Sequence, residues 1–256
     1  MSSSKSVSIQ AQGENRGMIQ EERTESRRDN QRLTGLPTGS RQELYRFLAY
    51  LFTQNPDRDF IDRLRSDEEI AQLQRFEDAI GEDSSMEELR GSLRRMISML
   101  RSWRDEDQKR LTKLQEDHAR LLRGISRHYG PPPPYESVYR SNVVMSDHAS
   151  DVLTLYHRAG LDVRGSEPPD HIGLELAFMA YLCEKEDEHG SEGDRKKAIE
   201  FISFQREFLS GHIMKWIPQF CRNVPNHDSA FYTAVAELTT SWLRLEEKFT
   251  EEPKPG

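Results

Sequence analysis

Between Phe231 and Phe249 the large apolar residues Phe231, Val235, Leu238, Trp242, Leu245 and Phe249 recur at spacings of 4, 3, 4, 3 and 4. A helix brings residues three and four apart onto one face, so this stretch makes a seam that only packing against other helices can bury. The same period runs through Leu44, Phe47, Leu48 and Leu51 of RQELYRFLAYLF, and through Leu89, Leu93, Met96, Leu100 and Trp103. Between them Phe60, Leu64, Leu73, Phe76 and Ile80 carry it, and Leu111, Leu114, Leu121, Leu122 and Ile125 resume it. No run alternates with the period of two that a half-buried strand requires. The pattern predicts an all-α bundle of roughly nine to eleven helices.

Breakers divide the pattern. Ser40 with Glu43 three residues on forms a capping box for the first helix, and Asn55-Pro56-Asp57 stops it. One helix is expected over 58–80, one very long helix or two in series over 89–125, and one over 146–160 closed by Gly160. Another starts within EPPDHIGLELAFM at 167–179, with the acid-rich stretch 184–194 read as a solvated loop. A further helix covers 194–214 and ends around Trp216-Ile217-Pro218. In HYGPPPPYESVYRSN four consecutive prolines cannot be helical and favour an extended rod. Residues 130–142 are therefore expected as a hinge loop between an N-terminal half, 40–129, and a C-terminal half, 143–250, of a single helical domain. Residues 1–39 are polar with few apolar anchors and read as a disordered tail, and 251–256 form a second short tail.

Charge narrows the function. The net charge of −8 and the isoelectric point near 5.6 disfavour a nucleic-acid binder, which needs a basic surface. The Arg-rich stretch 90–110 interleaves Asp and Glu and reads as an exposed helix face. Cys183 and Cys221 form no CxxC pair, so neither a zinc signature nor a disulfide framework is present. No apolar run reaches the roughly 20 residues that span a bilayer, and MSSSKSVSIQAQGENRG lacks the apolar core of a secretion signal. The expectation is a cytoplasmic protein without stable membrane insertion. Ser26-Arg27-Arg28 has the look of a twin-arginine signal, but Asp29-Asn30-Gln31-Arg32 follows where an apolar stretch belongs.

Phosphate loops, GxGxxG after a strand, HExxH and GxSxG are all missing. The one constellation with catalytic residue types is Asp170, His171 and Glu175, with His171 and Glu175 on one helix face. It could be part of a metal site in a metal-dependent enzyme, though no further ligand is in evidence. The alternative is an acidic first turn set against the helix dipole, with His171 bridging to Glu175. A second candidate is the pair of aromatics Tyr135 and Tyr139 with Glu136 between them, since arginine stacks on rings and binds carboxylates.

PPYESVY at 133–139, EPPDHIGLELAFM at 167–179, FLSGHIMKWIPQFC at 208–221 and FYTAVAEL at 231–238 occur in one order after RQELYRFLAYLF. Together they resemble the TorD/DmsD/NarJ family of redox-enzyme maturation chaperones, over roughly residues 40–250. The resemblance implies an all-helical, non-enzymatic, cytoplasmic chaperone without a cofactor. Its partner would be an apo molybdenum-cofactor oxidoreductase subunit, its twin-arginine leader, or both, held until cofactor insertion. A variant of that role is an assembly factor that binds the mature body of a nitrate-reductase-like subunit and ignores the leader. The resemblance assigns leader recognition to Asp170 and His171, with Glu167 and Glu175 in the same motif and Tyr135, Ser137 and Tyr139 in a nearby loop. It also allows a monomer or a domain-swapped dimer. On this reading Asp170 and Glu167, fixed by Pro168-Pro169, form an acidic rim at the mouth of an apolar groove that takes a cationic, apolar peptide.

Overall fold

The computed structural model describes residues 8–11, 36, 38–81, 83–103, 108–123 and 130–250. The Ser26-Arg27-Arg28 stretch lies outside them. The architecture is all-α, as the periodicity predicts, and no helix among the described residues is long and apolar enough to cross a membrane.

Two compact units divide the chain. Among the described residues, one takes those up to Thr53 together with Tyr135–Lys215; the other takes Gln54–Pro134 and the residues from Trp216 onward. The break at Pro134 falls in the Pro-rich segment. The units interleave the halves drawn from the sequence, because the first helix clusters with the residues after the hinge.

The first unit contains α1 (Thr38–Thr53), α6 (Glu136–Ser141), α7 (Asp147–Arg158), α8 (Ile172–Ser191) and α9 (Arg195–Phe208). It also holds a ribbon of β1 (Ser8–Ala11) paired antiparallel with β2 (Leu161–Arg164). No strand was expected. Four residues are too few to show a period, and β1 sits inside a stretch whose composition reads as a tail.

The central packing of this unit is α1 on α8. Gly173 permits it: a Cβ there would stand 2.3 Å from Thr53 Cγ2 and 3.3 Å from the Ala49 carbonyl oxygen. Tyr156, Phe178 and Phe208 pack as an aromatic cluster, with Phe178 4.6 Å and 4.8 Å from the other two ring centres.

The helix α8 runs to Ser191, so the acid-rich stretch is not a solvated loop over most of its length. The reason is one residue. Buried Glu186 accepts from Arg41 at 3.1 Å and from Gln205 Nε2 at 2.8 Å, and Arg41 donates to Gln205 Oε1 at 2.8 Å. A carboxylate, a guanidinium and an amide from α8, α1 and α9 thereby satisfy one another.

The second unit contains α2 (Arg58–Leu64), α3 (Asp67–Ile80), α4 (Glu87–Arg101), α5 (Gln108–Leu122), most of α10 (Met214–Asn223), and α11 (Ala230–Thr250). The helix expected over 58–80 is two helices. Ser66 caps α3, its hydroxyl accepting the Glu69 N–H at 3.2 Å, and the capping box is legible in Ser66-Asp67-Glu68-Glu69. The segment 89–125 resolves into two helices in series. The seam of α11 is buried at Phe231, Val235, Leu238, Trp242 and Leu245, and α11 packs on α4. Where those helices meet, the Ser92 and Ser241 hydroxyls lie 2.6 Å apart.

The chain does not stop at Pro218. It passes from α9 through a π turn, Leu209–Ile213, and continues helical to Asn223 with Pro218 inside. A proline there costs about 3 kcal/mol. Burying Trp216, Ile217 and Phe220 on that turn returns about 1.5–3 kcal/mol for each side chain and outweighs it.

Candidate functional site

The residues singled out in the sequence come together in the first unit, where α6 and α8 start side by side. His171 is the N-cap of α8. Its Nδ1 accepts the Gly173 N–H at 3.1 Å, which places the ring hydrogen of the neutral form on Nε2. Tyr135 and His171 form an antiparallel bridge, and their rings lie 5.5 Å apart. Next to the bridge, the Glu136 N–H donates to the Asp170 carbonyl at 3.0 Å. Asp170 then turns its carboxylate onto α6, where Oδ2 accepts the Ser137 N–H at 2.7 Å.

This arrangement corrects the expected acidic rim. Asp170 is 0% exposed and points into the protein, and His171 is also buried. Both act as caps, holding two helix starts against each other. The physical reason is supply of donors. The first N–H groups of α6 and α8 need acceptors, and these two side chains supply them. Burial pushes the Asp170 carboxyl above its ordinary value, partly offset by the hydrogen bonds from Ser137.

The other candidates divide by exposure. Glu136, Ser137 and Glu175 are buried; Tyr135, Tyr139 and Glu167 are half-buried. Arg140 donates to one Glu136 oxygen, and His212 Nδ1 lies 2.8 Å from the other. Tyr135 donates its hydroxyl to Glu167. Glu175 sits one turn into α8 near Tyr156, whose hydroxyl donates to the Pro169 carbonyl at 2.9 Å. Burial, with the charges of Glu175, Asp170 and Glu136 nearby, holds the Tyr156 phenol well above its usual range.

Three participants were not named from the sequence. Arg140 stands four residues after Glu136, a helical pairing that could have been read. Tyr156 and His212 come from distant segments and leave no local signal.

Metal chemistry finds no donor set here. Among the described residues no group of three or more His, Cys, Asp or Glu side chains is placed to hold an ion, and His171 Nδ1 already accepts from Gly173. What the arrangement does chemically is hold backbone.

Comparison with known proteins places the chain. Residues 82–222 match the family model described as nitrate reductase delta subunit. The chain is 25% identical over 216 residues to the chaperone protein TorD of Vibrio atlanticus, covering 82% of this chain and 94% of that one. It is 33% identical over 99 residues to the selenate reductase assembly chaperone protein of Thauera selenatis, covering 38% of this chain and 50% of that one. The crystal structure of a candidate redox enzyme maturation protein from Archaeoglobus fulgidus aligns with a TM-score of 0.42 at 23% identity, over 80% of this chain and 93% of that one. With the family model matched over more than half its length, the chain belongs to the nitrate reductase delta subunit family, the TorD/DmsD/NarJ group of redox-enzyme maturation chaperones.

Proposed function

We propose that this protein is a maturation chaperone. It binds the catalytic subunit of a molybdenum-cofactor oxidoreductase in the cytoplasm before the cofactor is inserted, and recognises the subunit's twin-arginine leader. The observation that carries this reading is the coverage of the TorD chaperones, which spans 82% of this chain and 94% of the relative. The site supports it in kind, because its charged groups are engaged in positioning helices and not in a reactive centre.

In this reading the motif residues take two roles. Asp170 caps the start of α6 at Ser137 and His171 caps the start of α8, while Glu136 and Glu175 are buried in the same two helices. Tyr135, Glu167 and Tyr139 remain half-buried at the surface of the same segment and meet the client. A charge-assisted contact between a leader arginine and a surface carboxylate is worth about 1.5–3 kcal/mol, enough to select a client and still release it.

Size-exclusion chromatography with a purified molybdenum oxidoreductase catalytic subunit tests the proposal. A complex is expected with the apo subunit and none with the cofactor-loaded one. Equal retention of both, or of neither, overturns it. Repeating the run with the leader removed separates leader recognition from recognition of the subunit body, the reading that the family's nitrate reductase description favours.

A further inference from the structure

The segment that Asp170 and His171 hold in place leads directly into an apolar turn. Between α6 and α7, Val143 is 57% exposed, Val144 50% and Met145 61%. Of the four large apolar side chains that stand exposed among the described residues, these are three, and they are consecutive. The fourth, Ile199, stands apart on α9.

The backbone sets this exposure. Asn142 at φ 56° ends α6 in the left-handed region, and Met145 at φ 61° adopts it again. Asparagine tolerates that conformation, whereas methionine takes it at a cost. Two left-handed residues bracket the valines, while the start of α6 is tied by its cap from Asp170 and its bridge to His171. The turn thus sits on a fixed base with its apolar side chains in water.

The charges beside it are free where those of the motif are not. Asp147 and Asp151 lie at i and i+4 on the first turns of α7, both exposed, and neither makes an ion pair among the described residues. Glu136, Glu167 and Asp170 each accept a hydrogen bond from within the protein. A ligand that brings guanidinium groups finds unpaired carboxylates next to the turn.

We propose that the α6–α7 turn is the docking surface for the client's peptide: Val143, Val144 and Met145 cover its apolar stretch, and Asp147 with Asp151 take the basic residues that adjoin that stretch. This rests on the chaperone reading above and names the surface it uses. The occupant is a peptide in which arginines stand next to apolar side chains, because the turn offers apolar area and negative charge together and nothing cationic of its own between Val143 and Asp147.

Calorimetry of the full-length protein with a synthetic peptide of Ser-Arg-Arg followed by an apolar stretch tests it. Replacing all three apolar residues (Val143→Ser, Val144→Ser, Met145→Ser) should weaken binding by about tenfold or more. The pair Asp147→Asn and Asp151→Asn should weaken it severalfold and flatten its dependence on salt. Ile199→Ser should leave binding unchanged, and circular dichroism should show all variants folded. If the wild type binds the peptide and the triple variant binds it equally well, this surface is wrong and the chaperone reading stands. If the triple variant instead loses self-association at unchanged peptide affinity, the turn is a contact between copies and the proposal fails. A wild type that does not bind the peptide sinks leader recognition and this surface together.

Discussion

Asp170 Oδ2 and the backbone nitrogen of Ser137 are 2.7 Å apart and 33 residues apart in sequence. A helix of only six residues cannot hold itself in water, so α6 exists because a side chain at the start of another helix caps it. Asp170→Ala removes the acceptor from a buried N–H and should cost about 1–3 kcal/mol. Asp170→Asn keeps an oxygen in place and should cost less. Urea midpoints at unchanged slope give both values. An alanine variant as stable as wild type would show that the cap contributes nothing.

The same carboxyl gives a pH signature. Burial holds it above 3.8, with the hydrogen bonds from Ser137 as a partial offset, so the folded chain keeps the proton more tightly than the unfolded chain. Its contribution to stability is fully present below the unfolded value and is lost as pH rises through the folded one. Asp170→Asn cannot titrate. Its deficit against wild type should therefore shrink as pH rises from below 3.8 through the folded-state value. A deficit that grows over that interval would mean that the folded chain holds the proton less tightly than the unfolded chain.

The buried Arg41–Glu186 pair is a test of a different kind. Glu186→Ala leaves the Arg41 guanidinium buried without its carboxylate and should destabilise the first unit by about 3–5 kcal/mol. Replacing both partners with apolar residues, Arg41→Met with Glu186→Leu, should recover much of that loss. Thermal unfolding of the single and double variants decides it, and a double variant worse than Glu186→Ala would contradict the argument.

The close approach of α1 to α8 has a compensating pair built into it. Gly173→Ala drives a methyl into Thr53 Cγ2 and should cost about 1–3 kcal/mol. Adding Thr53→Ser deletes that methyl and keeps the hydroxyl that donates to the Ala49 carbonyl at 2.8 Å. The double variant should approach wild-type stability in a urea titration. If it stays as unstable as Gly173→Ala alone, the contact is not what excludes a side chain there.

Both cysteines are buried, and burial pushes the Cys221 thiol up to about 12. Since the thiolate is the reactive form, a thiol reagent at neutral pH should label neither residue in the native protein and both after denaturation. Fast labelling of the native chain would place a cysteine at the surface.

What could be read in advance follows the range of each interaction. The seam from Phe231 to Leu245 is a property of one helix, and its residues are buried as their spacing implies. The Ser66 cap is equally local and could have divided 58–80. Asp170 was assigned to the client because, within its own segment, a carboxylate beside an apolar run has no visible partner. Its partner belongs to the Pro-rich segment, where four prolines hide the short helix behind them. Glu186 was placed in solvent for the same reason, since Arg41 and Gln205 are far away in sequence.

The assignment of α1 to the unit built from Tyr135–Lys215 carries a cost during synthesis. Its covering helix, α8, begins only at Ile172. At about 5–20 residues per second, the newborn α1 waits on the order of ten seconds with Leu44, Leu48 and Leu51 lacking the surface that will shield them. A maturation chaperone thus passes through an unsheltered interval of its own.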